Sequence, residues 1–105
     1  MTTIYGLKTC DTCRKAGKAL GVGVTDIREM QLSRDDLERF EAAFGAALLN
    51  TRSTTWRGLA EAERGRPPLD LIADYPALMK RPVIERDGAL YLGWGKDVQE
   101  ALLGG

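Results

Sequence analysis

Cys10 and Cys13 are the two cysteines of a 105-residue chain, and they lie three positions apart in Lys8-Thr9-Cys10-Asp11-Thr12-Cys13-Arg14-Lys15. The thiolate, not the thiol, attacks sulfur or oxyanion electrophiles. It is favoured by the unpaired N–H groups and positive dipole end of a helix start, and by neighbouring cations. This stretch offers both. It follows a strand-like run, Thr3-Ile4-Tyr5, and opens a helix-like run from Arg14 to Leu20, with Lys8, Arg14 and Lys15 close by. Free cysteine is also a common small core residue, but the strand-to-helix position and the cations favour the reactive reading of Cys10. A C-x-x-C pair can also be half of a zinc site. Zinc wants four ligands, and the chain contains no histidine, so no metal is expected. The missing histidine removes Cys–His and Ser–His pairs as well. Activation of Cys10 is therefore left to backbone dipoles and to Lys or Arg.

The elements that position this stretch follow from periodicity. Residues 2–7 read as a strand ending near Gly6, and residues 11–20 as a helix. Cys13, Ala16, Gly17 and Leu20 fall on one helix face, so Cys13 is expected to turn toward the core. Cys10 precedes or caps the helix and is expected to be the more exposed thiol. Gly21 and Gly23 end the helix. Val24 to Arg28 reads as a second strand, parallel to the first through a right-handed crossover. Ser33 opens the clearest helix, with Asp36 in a capping-box position, an apolar stripe of Leu37, Phe40 and Phe44, and Gly45 as C-cap. Ser53 or Thr54 then caps a short third helix that carries Trp56, Leu59 and Ala60 and closes at Gly65 and Pro67-Pro68. Leu69 to Tyr75 reads as another helix. Val83 to Arg86 and Ala89 to Leu92 flank Asp87-Gly88, a strong hairpin signal because that turn needs positive φ. Asp97 to Leu103 reads as a last helix.

Composition bounds the class. The length suits one domain, residues 1–105. Fifteen basic and fifteen acidic residues cancel, which argues against bulk attraction to nucleic acid or to an anionic membrane. No apolar run reaches the roughly 18 residues of a membrane span, and no signal peptide opens the chain. A cytoplasmic monomer is expected, with no direct nucleic-acid or membrane partner.

The order β-α-β, helices, β-hairpin, helix, with C-x-x-C at the first strand–helix junction, resembles the thioredoxin-like fold with a helical insertion. Specific residues sharpen the resemblance. Ile4-Tyr5-Gly6, Cys10 to Ala16, Leu49-Asn50-Thr51-Arg52-Ser53 and Lys80-Arg81-Pro82-Val83-Ile84 resemble the arsenate reductase (ArsC)/Spx family across essentially the whole chain. The Asn50 to Trp56 stretch is similar to the YffB-like branch, associated with glutathione-dependent thiol reduction. The resemblance implies that Cys10 is the nucleophile, that Arg52 and Arg81 line an anion site, and that Pro82 is a proline, usually cis, beside the active-site loop. Lys8 is a further candidate for the anion cluster. In the arsenate reductases of the family a third arginine follows the last strand. Here that region reads Leu92-Gly93-Trp94, which implies an arsenate-reductase-like thiol protein rather than an arsenate reductase.

Several residues keep two readings. Cys13 is either a resolving thiol or a core-facing filler. Thr9 and Thr12 either donate to a thiolate or serve local turns and caps. Asp11 reads as charge compensation at the helix start. Trp56 is expected in the core, and Trp94 is left open. Two functions compete with a third in which the scaffold is kept and the chemistry lost. One is a thiol-disulfide reductase with no bound cofactor, glutathione as co-substrate and a small thiol, disulfide or oxyanion substrate. The other is an Spx-type redox-sensing regulator whose partner is the RNA polymerase α subunit.

Overall fold

A computed structural model describes residues 1–104. Their contacts group into two compact units, Met1–Met30 with the chain from Arg81 onward, and Gln31–Lys80.

The first unit is built on strands β1 (Thr2–Gly6), β2 (Val24–Asp26), β3 (Val83–Arg86) and β4 (Ala89–Leu92), with helix α1 (Asp11–Leu20) between β1 and β2 and a C-terminal helix after β4. The described strands form one sheet in the order β2-β1-β3-β4. β1 pairs in parallel with β2 and antiparallel with β3, in a register that sets Tyr5 opposite Val83 and Thr2 opposite Arg86. This is the expected thioredoxin-like arrangement, with the helical insertion entering between β2 and β3. The β3–β4 turn has positive φ at Asp87 and Gly88, as its Asp-Gly sequence requires. Ile4, Ala16, Ile84, Val98 and Leu102 form a buried cluster from sheet and helices, and Trp94 packs on its margin. Trp94 is therefore a packing residue. The guanidinium of Arg86 donates to the Thr2 hydroxyl and to the Leu102 carbonyl, which ties the first strand, the hairpin and the end of the last helix together.

β2 is shorter than expected. The Asp26 carboxylate accepts the Arg28 N–H (2.9 Å), and the Asp26 carbonyl accepts from Met30 (2.9 Å). The chain therefore turns at Asp26, where the hydropathy pattern alone would extend the strand to Arg28.

The second unit carries α2 (Arg34–Phe44), α3 (Thr54–Arg57), α4 (Glu61–Arg64) and α5 (Pro68–Asp74); the last helix of the first unit, α6, spans Lys96–Leu103. Ser33 caps α2 by accepting the Asp36 N–H (3.1 Å), but the Asp36 carboxylate pairs with Arg39 (2.9 Å). Only half of the expected capping box forms, because an aspartate at that place finds a partner one turn ahead. The single helix expected through Trp56, Leu59 and Ala60 is instead two single turns, α3 and α4. Gly58 caps the first and Ala60 begins the second. Trp56 is half-buried rather than in the core, with the Arg64 guanidinium 5.8 Å from its ring centroid. A one-turn helix has no second turn to carry the ring inward.

Candidate functional site

The cysteine stretch begins where β1 ends. The Cys10 N–H donates to the Leu7 carbonyl (3.0 Å), closing a tight turn, and the Cys10 carbonyl accepts the Arg14 N–H (3.0 Å), the first helical bond of α1. Cys10 is thus the N-cap, in extended conformation and half-buried. Its sulfur closes no full capping hydrogen bond, yet the Cys13 N–H faces it closely enough to favour the thiolate. Cys13 lies one turn on, with no exposed surface, on the helix face shared with Ala16 and Gly17. The sequence-based orientation of both thiols agrees with this placement.

Gly6 determines how deep Cys13 can sit. A Cβ on Gly6 would stand 2.4 Å from the Cys13 Sγ, far inside contact distance, so the strand backbone and the sulfur occupy space that a side chain would fill.

Arg81 reaches the pair through the sheet register. Tyr5 pairs with Val83 in the β1–β3 ladder. Pro82 and Arg81, which precede Val83, therefore stand at the same sheet end as Gly6 and Leu7. The Arg81–Pro82 bond is cis, Pro82 is buried, and its carbonyl accepts the Gly93 N–H (2.8 Å). From there the Arg81 guanidinium acts on the Cys10 sulfur and favours its ionised form.

These neighbours split the two thiols. Partial burial alone would push the Cys10 thiol up. The Cys13 N–H, the Cys13 thiol and Arg81 outweigh it, so the Cys10 thiol ionises below its ordinary value. Burial pushes the Cys13 thiol up to about 12, and the Cys10 sulfur adds to the rise; the Leu7 N–H and the Arg81 charge oppose it. The two titrate as a pair. The first proton leaves from the Cys10 side, and the resulting charge holds the second on Cys13.

Other expected site residues are placed differently. The Lys8 ammonium pairs with Glu29 (3.0 Å) and stands on the rim of a hollow of about 360 Å³ beside α1, above Val22 and Val24. The Thr9 hydroxyl accepts from Arg28 (3.3 Å). Thr12 is exposed on the first turn of α1. Asp11 pairs with Arg14, so this cation, four positions from Cys10, is already engaged. Arg52 belongs to the second unit. Its N–H donates to the Asn50 side-chain oxygen (3.1 Å), and with Lys80 it lines a hollow of about 480 Å³. That loop is held by the Leu49–Met79 bridge and by the Asn50 N–H on the Leu78 carbonyl (2.7 Å). Two cations on a polar wall suit an anion. Among the described residues no cluster of His, Cys, Asp or Glu is arranged to hold a metal ion, and no helix is long and apolar enough to cross a membrane.

Sequence reasoning passed over Asp26. It is 5 % exposed, and its carboxylate accepts the Lys8 N–H (3.0 Å) as well as the Arg28 N–H. The Lys8 bond lowers its pKa most; burial opposes, and Arg28 adds to the lowering, leaving it at about 2. The available signal was an acidic residue ending a short apolar strand.

Residues 5–102 match the ArsC family. The solved structure of the YffB protein superposes with a TM-score of 0.86 at 31% identity, covering 98% of this chain and 99% of that one. An arsenate reductase (ArsC) related protein of Brucella melitensis is 37% identical, with a TM-score of 0.70 over 97% of this chain and 93% of that one. The global transcriptional regulator Spx of Streptococcus pyogenes is 30% identical over 98% of this chain and 85% of its own length. The family match spans the cysteine turn, the Arg52 loop and the Arg81–Pro82 bond alike: this chain belongs to the ArsC family.

Proposed function

We propose that this protein is a thiol oxidoreductase that uses Cys10 as nucleophile and glutathione as reductant. The observation that carries the reading is the unequal pair: a half-exposed Cys10 held toward thiolate by a helix start and Arg81, one turn from a Cys13 that keeps its proton. The Cys10 thiolate attacks one sulfur of a disulfide. A new S–S bond forms to Cys10, the old one breaks, and the leaving sulfur departs as a thiolate that takes a proton from water. A glutathione thiolate then attacks the mixed disulfide, releasing Cys10 and carrying away the oxidised pair. Arg81 is the cation we assign to an anionic group of substrate or glutathione at Cys10; Lys8 and Arg52, each on its own hollow, are further candidates for binding an anion. Cys13 is a slow internal resolving group at neutral pH, because it attacks only as thiolate.

The test is turnover with glutathione and a model mixed disulfide, with arsenate as a further substrate. We expect turnover with the mixed disulfide. No activity on either, under conditions where a relative works, would sink the reading.

The 30% likeness to Spx favours a second reading, a redox-sensing regulator in which oxidation joins Cys10 to Cys13. It predicts that the protein captures the C-terminal domain of the RNA polymerase α chain in one redox state. Recovery of nothing in either state counts against it.

A further inference from the structure

Asp26 joins the two loops that leave the same end of the sheet. One carboxylate oxygen takes the Lys8 N–H (3.0 Å) and the other takes the Arg28 N–H (2.9 Å). The Arg28 guanidinium lies 3.5 Å from the same carboxylate and reaches across to the Thr9 hydroxyl (3.3 Å). Beneath them the Ile27 N–H donates to the Gly6 carbonyl (2.9 Å). Lys8 and Thr9 thus have their backbone and side chain fixed immediately before Cys10. A buried carboxylate with both oxygens engaged by backbone N–H groups is costly to place unless its partners stay in register.

We propose that Asp26, with Arg28 as its outer brace, is a positioning residue that holds the Lys8–Cys10 turn so that the Cys10 sulfur faces the Cys13 N–H and Arg81. The proposal rests on the reading of Cys10 as the reactive thiol. The carboxylate acts through the loop, not on the sulfur. The titratable and charged groups that bear on Cys10 are Cys13 and Arg81. The surrounding surface carries the Asp11–Arg14 and Lys8–Glu29 pairs.

Asp26→Asn tests it. The amide keeps one acceptor oxygen but turns an N–H₂ toward the other backbone N–H, so one of the two loop bonds is lost. The readout is the rate of Cys10 alkylation by iodoacetamide against pH, with circular dichroism to check the fold. Removing a negative charge, by itself, would move the midpoint of that profile down. Loss of the clamp moves it up, and each unit of rise slows alkylation about tenfold below the midpoint. An upward shift is expected; an unchanged or lowered midpoint in the folded variant overturns the proposal. Arg28→Lys supplies a second variant on the exposed side. It keeps the charge and the backbone N–H but loses the fork that spans Asp26 and Thr9, so a smaller upward shift is expected. If Asp26→Asn does not fold, an unmoved midpoint in Arg28→Lys is the overturning result. The assay needs no disulfide substrate. A protein that reduces nothing yet shows these shifts refutes the proposed function and leaves the clamp standing.

Discussion

The exposed start of α1 and its buried face each present one sulfur, three residues apart and with the same intrinsic chemistry. At the start, Cys10 meets an N–H, a thiol and a guanidinium, and its proton leaves early. On the buried face, Cys13 has no exposed surface and lies against the β1 backbone, and its proton is held up to about 12. Desolvation and the neighbouring negative sulfur work together there, whereas at Cys10 the favourable contacts exceed desolvation. Nearness to a helix start does not by itself activate a thiol: Cys10 caps α1 and Cys13 lies in its first turn, and only Cys10 is lowered.

The largest effect that could break this contrast is on turnover. Cys10→Ser should lower mixed-disulfide reduction by about 10⁴-fold or more, as removal of an enzyme nucleophile does. Cys13→Ser should cost less than about tenfold if glutathione resolves the intermediate. Equal losses in the two variants would make Cys13 the resolving thiol and dissolve the distinction.

Next in size is Gly6→Ala. Its methyl would stand 2.4 Å from the Cys13 Sγ, so either strand or sulfur must move. Overpacking of this kind costs about 1–3 kcal/mol, read as a lower Tm. A displaced Cys13 should also take up iodoacetamide, giving two labels per chain instead of one. Unchanged Tm and a single label would show that β1 does not set the depth of Cys13. The stability sign supports the same view. A folded thiol raised from 9.0 to about 12 contributes fully below the ordinary value, and that contribution is lost as pH climbs toward about 12.

The smallest effect is electrostatic. Arg81→Met should raise the pH midpoint of Cys10 alkylation by about one unit, the low end of what an adjacent opposite charge supplies. Arg81→Lys should recover part of it. A midpoint unmoved by Arg81→Met would assign the lowering of Cys10 to the helix start and Cys13 alone.

Much of the fold was legible because its signals are local. Ser33 as a cap, Gly21 after α1, and Asp87-Gly88 in the hairpin each state their own backbone geometry. The depth of Cys13 was legible from helical spacing. The partition of cations around Cys10 was not. Lys8 and Arg14 are nearest in sequence, yet Glu29 and Asp11 occupy them, while Arg81 arrives through strand register. Asp26 was hidden for the same reason: its partners are backbone N–H groups, which every residue but proline carries and no sequence marks. The single helix expected through Trp56 failed because Gly58 stops the first turn before the apolar pattern is complete.

β1 lies between β2 and β3 in the sheet, and its antiparallel partner begins only at Val83. A growing chain therefore completes β1, α1 and β2, cysteines included, long before the strand that closes the other edge of β1 has been synthesised. Cys10 is made early and receives its guanidinium late. Until Arg81 emerges, the nascent thiol has its helix start and Cys13 beside it but lacks the charge that further favours its ionised form.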